Sequence, residues 1–194
     1  MEFEEKIHST ALIHPKSKIH ASVKVGAYSI VGENVKIDEG SEIGNFVTLA
    51  GNTSIGKDNK IYHYCSLGES PQDKKFKNEK TYLIIGNGNT SREFCTFNVG
   101  TIDGGGITQI GSNNGLMAYV HIAHVCKLRN DIVLANNSSL AGHVEIDDFA
   151  ILGGFTLVHQ FCKIGAHIIT GVGTIILKDI PPYIRAAGDN AKPN

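Results

Sequence analysis

Aliphatic residues recur at every sixth position along most of this chain. Ile7, Ile13, Ile19, Val25, Val31, Ile37, Ile43, Leu49, Ile55, Ile61 and Leu67 keep the spacing without a miss. Ile110, Leu116, Ile122, Leu128, Leu134, Leu140, Ile146, Leu152, Val158 and Ile164 then take it up again. A hexapeptide period is the signature of a parallel β-helix. Three hexads close one triangular coil, so residues 18 apart stack about 4.8 Å from one another along the axis. The pattern predicts an all-β solenoid of short parallel strands with the aliphatic residues inside. Burying 21 such side chains contributes on the order of 30–60 kcal/mol before chain entropy is subtracted. The period leaves the handedness open, since parallel crossovers are normally right-handed.

Two interruptions break the beat. The stretch GESPQDKKFKNEKTYLI, about residues 68–84, is polar and charged, yet Leu67 and Ile85 are 18 apart and the phase survives. It reads as a loop thrown out from one coil. Residues 103–109, DGGGITQ, shift the phase by one and read as a bulge at a corner. Loops on a rigid scaffold are where function concentrates. The beat fades after Ile164, and Pro181-Pro182 ends it, because proline cannot join a central ladder. The expected organisation is one β-helical domain over residues 1–183 with these two loops. A polar tail, or the start of a further segment, follows over 184–194.

Charge is nearly balanced, with 18 Lys+Arg against 19 Asp+Glu. That argues against nucleic acid as a partner, which would need a basic face. No run of 18 apolar residues suggests a membrane span, and MEFEEKIHST lacks the apolar stretch of a signal peptide. Cys65, Cys95, Cys126 and Cys162 all occupy the fifth place of their hexads, shared elsewhere with small or β-branched residues. They read as inward-facing filler rather than ligands or nucleophiles. Cys126 and Cys162 are two coils apart, beyond disulfide reach. Reduced thiols imply a cytoplasmic location.

The period also brings chemistry together. His124, Gly142 and Gln160 are spaced 18 and 18, so they form one column. His143 lies one coil and one step on, and His159 two coils on and one step back. These five residues converge on one edge of the prism. A neutral imidazole is the natural general base for a hydroxyl or amine, and a glycine beside it exposes a backbone N–H to an oxyanion. His8, His14 and His20 sit at the second place of N-terminal hexads and read as surface residues; His63, His121 and His167 read the same way. Three histidines with an open position could instead hold zinc, as in γ-type carbonic anhydrases. No acidic residue lies in the strand to shuttle protons, and no metal is expected.

The segments HIAH (His121–His124), LANNSSLAGHVEIDDFAILGG (Leu134–Gly154), VHQFCKIGAH (Val158–His167) and DIPPY (Asp179–Tyr183) closely resemble the UDP-N-acetylglucosamine acyltransferase family of lipid A synthesis. The resemblance extends over essentially the whole chain, including the PQDKKF loop. It implies a left-handed β-helix and a cytoplasmic homotrimer with sites between subunits. It also implies transfer of an (R)-3-hydroxyacyl chain from acyl carrier protein to the glucosamine 3-hydroxyl, without metal or organic cofactor. His124 matches the general base and Gly142 the oxyanion-binding position. His143, His159 and Gln160 match substrate-contacting positions, with His121 counted beside them. Gln72, Asp73 and Lys75 match residues that help bind the sugar nucleotide.

The chain departs from that family in four places. Val125 follows His124 where the family usually has Asp, a partner for the base; either turnover is weakened or another group substitutes. Asn98-Val99 stands where a His-Arg pair is common. Val172 replaces a small residue that lets a long acyl chain pass, which predicts a shortened acyl pocket. The family's C-terminal helical domain has no counterpart before Asn194. A binding-only or weakly active paralogue and a purely structural trimer are therefore the competing readings.

Overall fold

The computed structural model describes residues 6–188 and 191–193. The chain folds as a left-handed parallel β-helix with three sheets as its faces. The first face has nine strands, beginning at Leu12–Ile13 and ending at Ile175–Ile176. The second has eight, from Lys18–Ile19 to Lys163–Ile164. The third has ten, beginning at Lys24–Val25. Most strands are only two residues long, one side chain in and one out. Registers run in strict steps of 18 in regular coils, as in Leu12↔Ile30 and His121↔Ser139↔Leu157↔Ile175.

The aliphatic column forms the core. Every member from Val25 to Leu67 and from Ile110 to Ile164 is buried. At the open N-terminal end Ile13 and Ile19 are half-buried and Ile7 is 40% exposed, since the first coil has only one neighbour to cover it. All four cysteines are free and buried in the same core.

From Tyr28 onward most corners turn through a residue with positive φ. Between the third and first faces this slot holds Tyr28, Phe46, Tyr64, Phe94 and Tyr119, stacked ring on ring at 4.8–5.2 Å, and then Asn137, Phe155 and Gly173 outside that stack. Between the first and second faces the slot holds Val125, His143 and Phe161. L-residues rarely adopt this conformation, and a β-branched one such as Val125, at φ 61°, does so at a cost of roughly 1–2 kcal/mol.

The excursions are narrower than the sequence suggested. Ser66–Glu69 and Tyr82–Ile85 are both strands, so the first loop leaves the coil only over residues 70–81. The second is a turn around the 3₁₀ segment Ile102–Gly104, and residues 107–109 already belong to the strand Ile107–Ile110. The solenoid also continues past Tyr183. Ile180 bridges to Ile164 and is buried, and Arg185–Ala187 pairs with Ile169–Thr170. Pro181 and Pro182 sit exposed after that bridge, with no ladder bond required of them, and Tyr183 N–H returns to the Ala166 carbonyl. The expected tail is thus partly coil; positions 189, 190 and 194 of it, like 1–5 at the other end, lie outside the described residues.

Candidate active site

The edge between the first and second faces assembles the site. The strand His121–Ile122 delivers Ala123, His124 and Val125 to the corner, and the strand Ser139–Leu140 delivers Ala141, Gly142 and His143 one coil on. Backbone bonds lock the two levels together. His143 N–H donates to the His124 carbonyl at 3.0 Å, and Phe161 N–H to the Gly142 carbonyl at 3.1 Å.

Gly142 has a steric reason to be glycine. A Cβ there would lie 2.5 Å from Cε1 and 2.7 Å from Nε2 of His124. The imidazole therefore rests directly on the Gly142 backbone. Among the hydrogen bonds of the described residues, none uses the Gly142 N–H. A buried donor of this kind beside an imidazole is suited to an oxyanion.

His143 meets His124 edge to face at 5.2 Å and stacks on Phe161 at 4.5 Å. The turn at Ile102–Gly104 closes one side: a Cβ on Gly104 would meet Val125 Cγ1 at 2.4 Å and His143 Cε1 at 2.7 Å. Val125 N–H donates to Thr108 Oγ1 at 2.8 Å, which pins the corner. His121 Nδ1 lies 2.8 Å from Thr96 Oγ1.

These imidazoles are kept neutral. Burial, and then repulsion from His143, holds His124 below its ordinary value, with Asp73 pulling the other way. Burial lowers His143 against the pull of Asp103 and Asp73, and burial also lowers His121. A neutral imidazole near pH 7 is in the form a base requires. Burial does the opposite to the core thiols, pushing Cys126 up to about 12, so it is no nucleophile.

The residues singled out from sequence fall into three sets. His124, Gly142 and His143 are in mutual contact, and Asp73 joins them, its Oδ2 3.9 Å from His124 Nε2. His121 and His159 line a shallow apolar groove of about 430 Å³ together with Ser139, Ala141, Leu157 and Ile175. These are mainly the outward-facing residues of successive strands of the first face. Gln72, Lys75 and Gln160 are exposed near this edge. Val172 is 78% exposed and lies beside Gly173, at the far edge of the first face from His124. Sequence reasoning missed Phe161, which the period could have supplied as the residue 18 beyond His143. It also missed Thr96, Thr108 and Gly104, which carry no repeat signal.

At the position where a His-Arg pair is common, Val99 is buried. Asn98 donates from Nδ2 to the Ser70 carbonyl at 3.1 Å, anchoring the root of the excursion. A second cavity, about 440 Å³ and lined by Lys16, Lys18, Lys36 and Lys80, lies on the second face and shares no residue with the histidine edge. Among the described residues no three His, Cys, Asp or Glu side chains are grouped to hold a metal ion. No helix among them is long and apolar enough to cross a membrane.

Residues 16–51 match the model for the bacterial transferase hexapeptide family (six repeats). The chain is 54% identical over 187 residues to an acyl-[acyl-carrier-protein]–UDP-N-acetylglucosamine O-acyltransferase from Herminiimonas arsenicoxydans, covering 96% of this chain and 71% of that one. It belongs to the UDP-N-acetylglucosamine O-acyltransferase family. A relative from Thiobacillus denitrificans is 53% identical over 97% of this chain and 73% of its own length. Among solved structures, LpxA from Acinetobacter baumannii superimposes with a TM-score of 0.96 at 43% identity, over 98% of this chain and 74% of that one. The UDP-N-acetylglucosamine acyltransferase of Campylobacter jejuni gives 0.94 at 39% identity, over 97% and 74%.

Proposed function

We infer that the protein transfers an acyl chain from acyl carrier protein to UDP-N-acetylglucosamine, as the names of its relatives describe. The observation that carries the reading is His124, neutral, packed against Gly142, whose N–H is unused, next to Ala141 of an apolar groove. His124 Nε2 takes the proton of the sugar hydroxyl, whose oxygen attacks the thioester carbonyl. The Gly142 N–H receives the developing oxyanion. As the tetrahedral intermediate collapses, the C–S bond breaks and the proton passes from His124 to the leaving thiolate. A thioester is already activated, so this exchange of one acyl bond for another requires neither metal nor redox cofactor.

The finer reading follows from the same residues. The groove between Leu157 and Ile175 receives the acyl chain, an (R)-3-hydroxyacyl group joined to the glucosamine 3-position in the first step of lipid A synthesis. Gln72, Asp73 and Lys75 hold the sugar nucleotide, with His121, His143, His159 and Gln160 at the substrate. Val172, exposed in one protomer, meets the chain's far end in a homotrimer and favours medium length. The protein works in the cytoplasm. Incubation with 3-hydroxyacyl carrier proteins and UDP-N-acetylglucosamine, with the product read by mass spectrometry, tests this. A UDP-3-O-acyl product is expected. Nucleotide binding without product would favour the binding-only paralogue, and neither would favour a structural trimer.

A further inference from the structure

We propose that Asp73 is the electrostatic partner of His124, its carboxylate facing the base nitrogen at 3.9 Å. The proposal rests on the acyl-transfer reading and assigns Asp73 a task beyond holding the sugar. A histidine that takes a proton in the transition state becomes a cation, and a nearby carboxylate stabilises it. The residue after His124 cannot do this, since Val125 is a buried hydrocarbon packed on Gly104. Among the ion pairs of the described residues, the one carboxylate that reaches a histidine is that of Asp73, 3.9 Å from Nε2 and offered by the 70–81 excursion.

The excursion aims it. Asp73 Oδ1 accepts from the Lys75 N–H at 2.9 Å, which leaves Oδ2 as the oxygen nearest His124. The separation is too long for a direct hydrogen bond, so Asp73 acts on the imidazole through its charge and leaves the Nε2 lone pair free for the substrate hydroxyl. In the step described above, the hydroxyl proton moves to Nε2 and later to the thiolate; Asp73 neither gains nor loses one. The other charged or titratable groups facing this nitrogen are His143 and His121, which oppose its protonation; Asp103 and Lys127 act on His143. Asp73 is therefore the group that favours the imidazolium.

The test is Asp73→Asn, which keeps an acceptor for the Lys75 N–H and removes the charge. NMR titration of His124 in the free protein should show a lower pKa than in wild type. In acyl transfer, kcat should fall about tenfold over and above any rise in KM from its contact with the sugar, and the acid limb of kcat should move to lower pH. Val125→Asp, which returns a carboxylate beside the base, should recover part of the kcat lost in the Asp73→Asn background. An unaltered His124 titration, or a loss confined to KM, would overturn the proposal. The titration requires no turnover, so a wild type that forms no product defeats the acyl-transfer reading and still leaves the Asp73–His124 coupling measured.

Discussion

Two edges of the prism share a backbone plan and carry different chemistry. Where the third face meets the first, the positive-φ slot holds Tyr28, Phe46, Tyr64, Phe94 and Tyr119, each 40–58% exposed and stacked nearly parallel on the next. Where the first face meets the second, the same slot holds Val125, His143 and Phe161, with His124 and Gly142 just before it. The aromatic edge is self-sufficient, each ring covering its neighbour. The histidine edge is open: a glycine leaves room under His124, an N–H goes unused, and two excursions reach over it. The contrast shows that the repeat supplies the slot, while small residues and insertions turn one column into a site.

The largest effect expected from breaking that contrast is at Gly142. Gly142→Ala places a methyl where His124 lies and should lower kcat/KM by about 100-fold, because a misplaced base loses its alignment. Steady-state kinetics with a matched thermal melt checks it; a rate near wild type would mean that the imidazole does not rest there during turnover. The pH profile tests the neutrality of the edge. Burial lowers the His124 pKa, so the base stays neutral on acidification past 6.5. The acid limb of kcat/KM should therefore lie below pH 6.5, activity being lost only as pH falls through the lowered value. A limb above 6.5 would contradict that environment.

Smaller changes belong to the groove and to the other edge. Val172→Gly should shift the ratio of rates for long against medium acyl chains roughly tenfold toward long ones, read with a panel of acyl carrier proteins. Phe94→Ala removes two stacking contacts, with Tyr64 and Tyr119, and should cost roughly 1–3 kcal/mol in denaturant unfolding. Its kcat should stay within twofold of wild type.

Much of this was readable before the structure, for a physical reason. A period of six forces inward and outward positions, and a coil of 18 stacks His124 under Gly142 whatever the strands around them do. What escaped lies where the period is suspended. Asp73 approaches His124 from an excursion with no repeat phase, so nothing in its spacing points to the corner. Thr108 reaches Val125 across the one-residue phase shift, and Gly104 sits inside the bulge itself. The strain at Val125 is invisible in sequence because valine is ordinary in a strand and unusual only at a left-handed corner. The end of the helix was misplaced because the proline pair looks like a terminator. Ile180 meets Ile164 before it, and Ala186, buried against Thr170, resumes the ladder after it.

The central claim is that acyl transfer belongs to the histidine edge and not to the fold at large. It is tested most directly by kcat/KM for His124→Ala set beside Phe94→Ala, one truncation at each edge. The account expects the first to fall at least about 100-fold with its melt unchanged, and the second to stay within twofold despite a lower melting temperature. Equal losses at both edges, or a His124→Ala enzyme as fast as wild type, would contradict it.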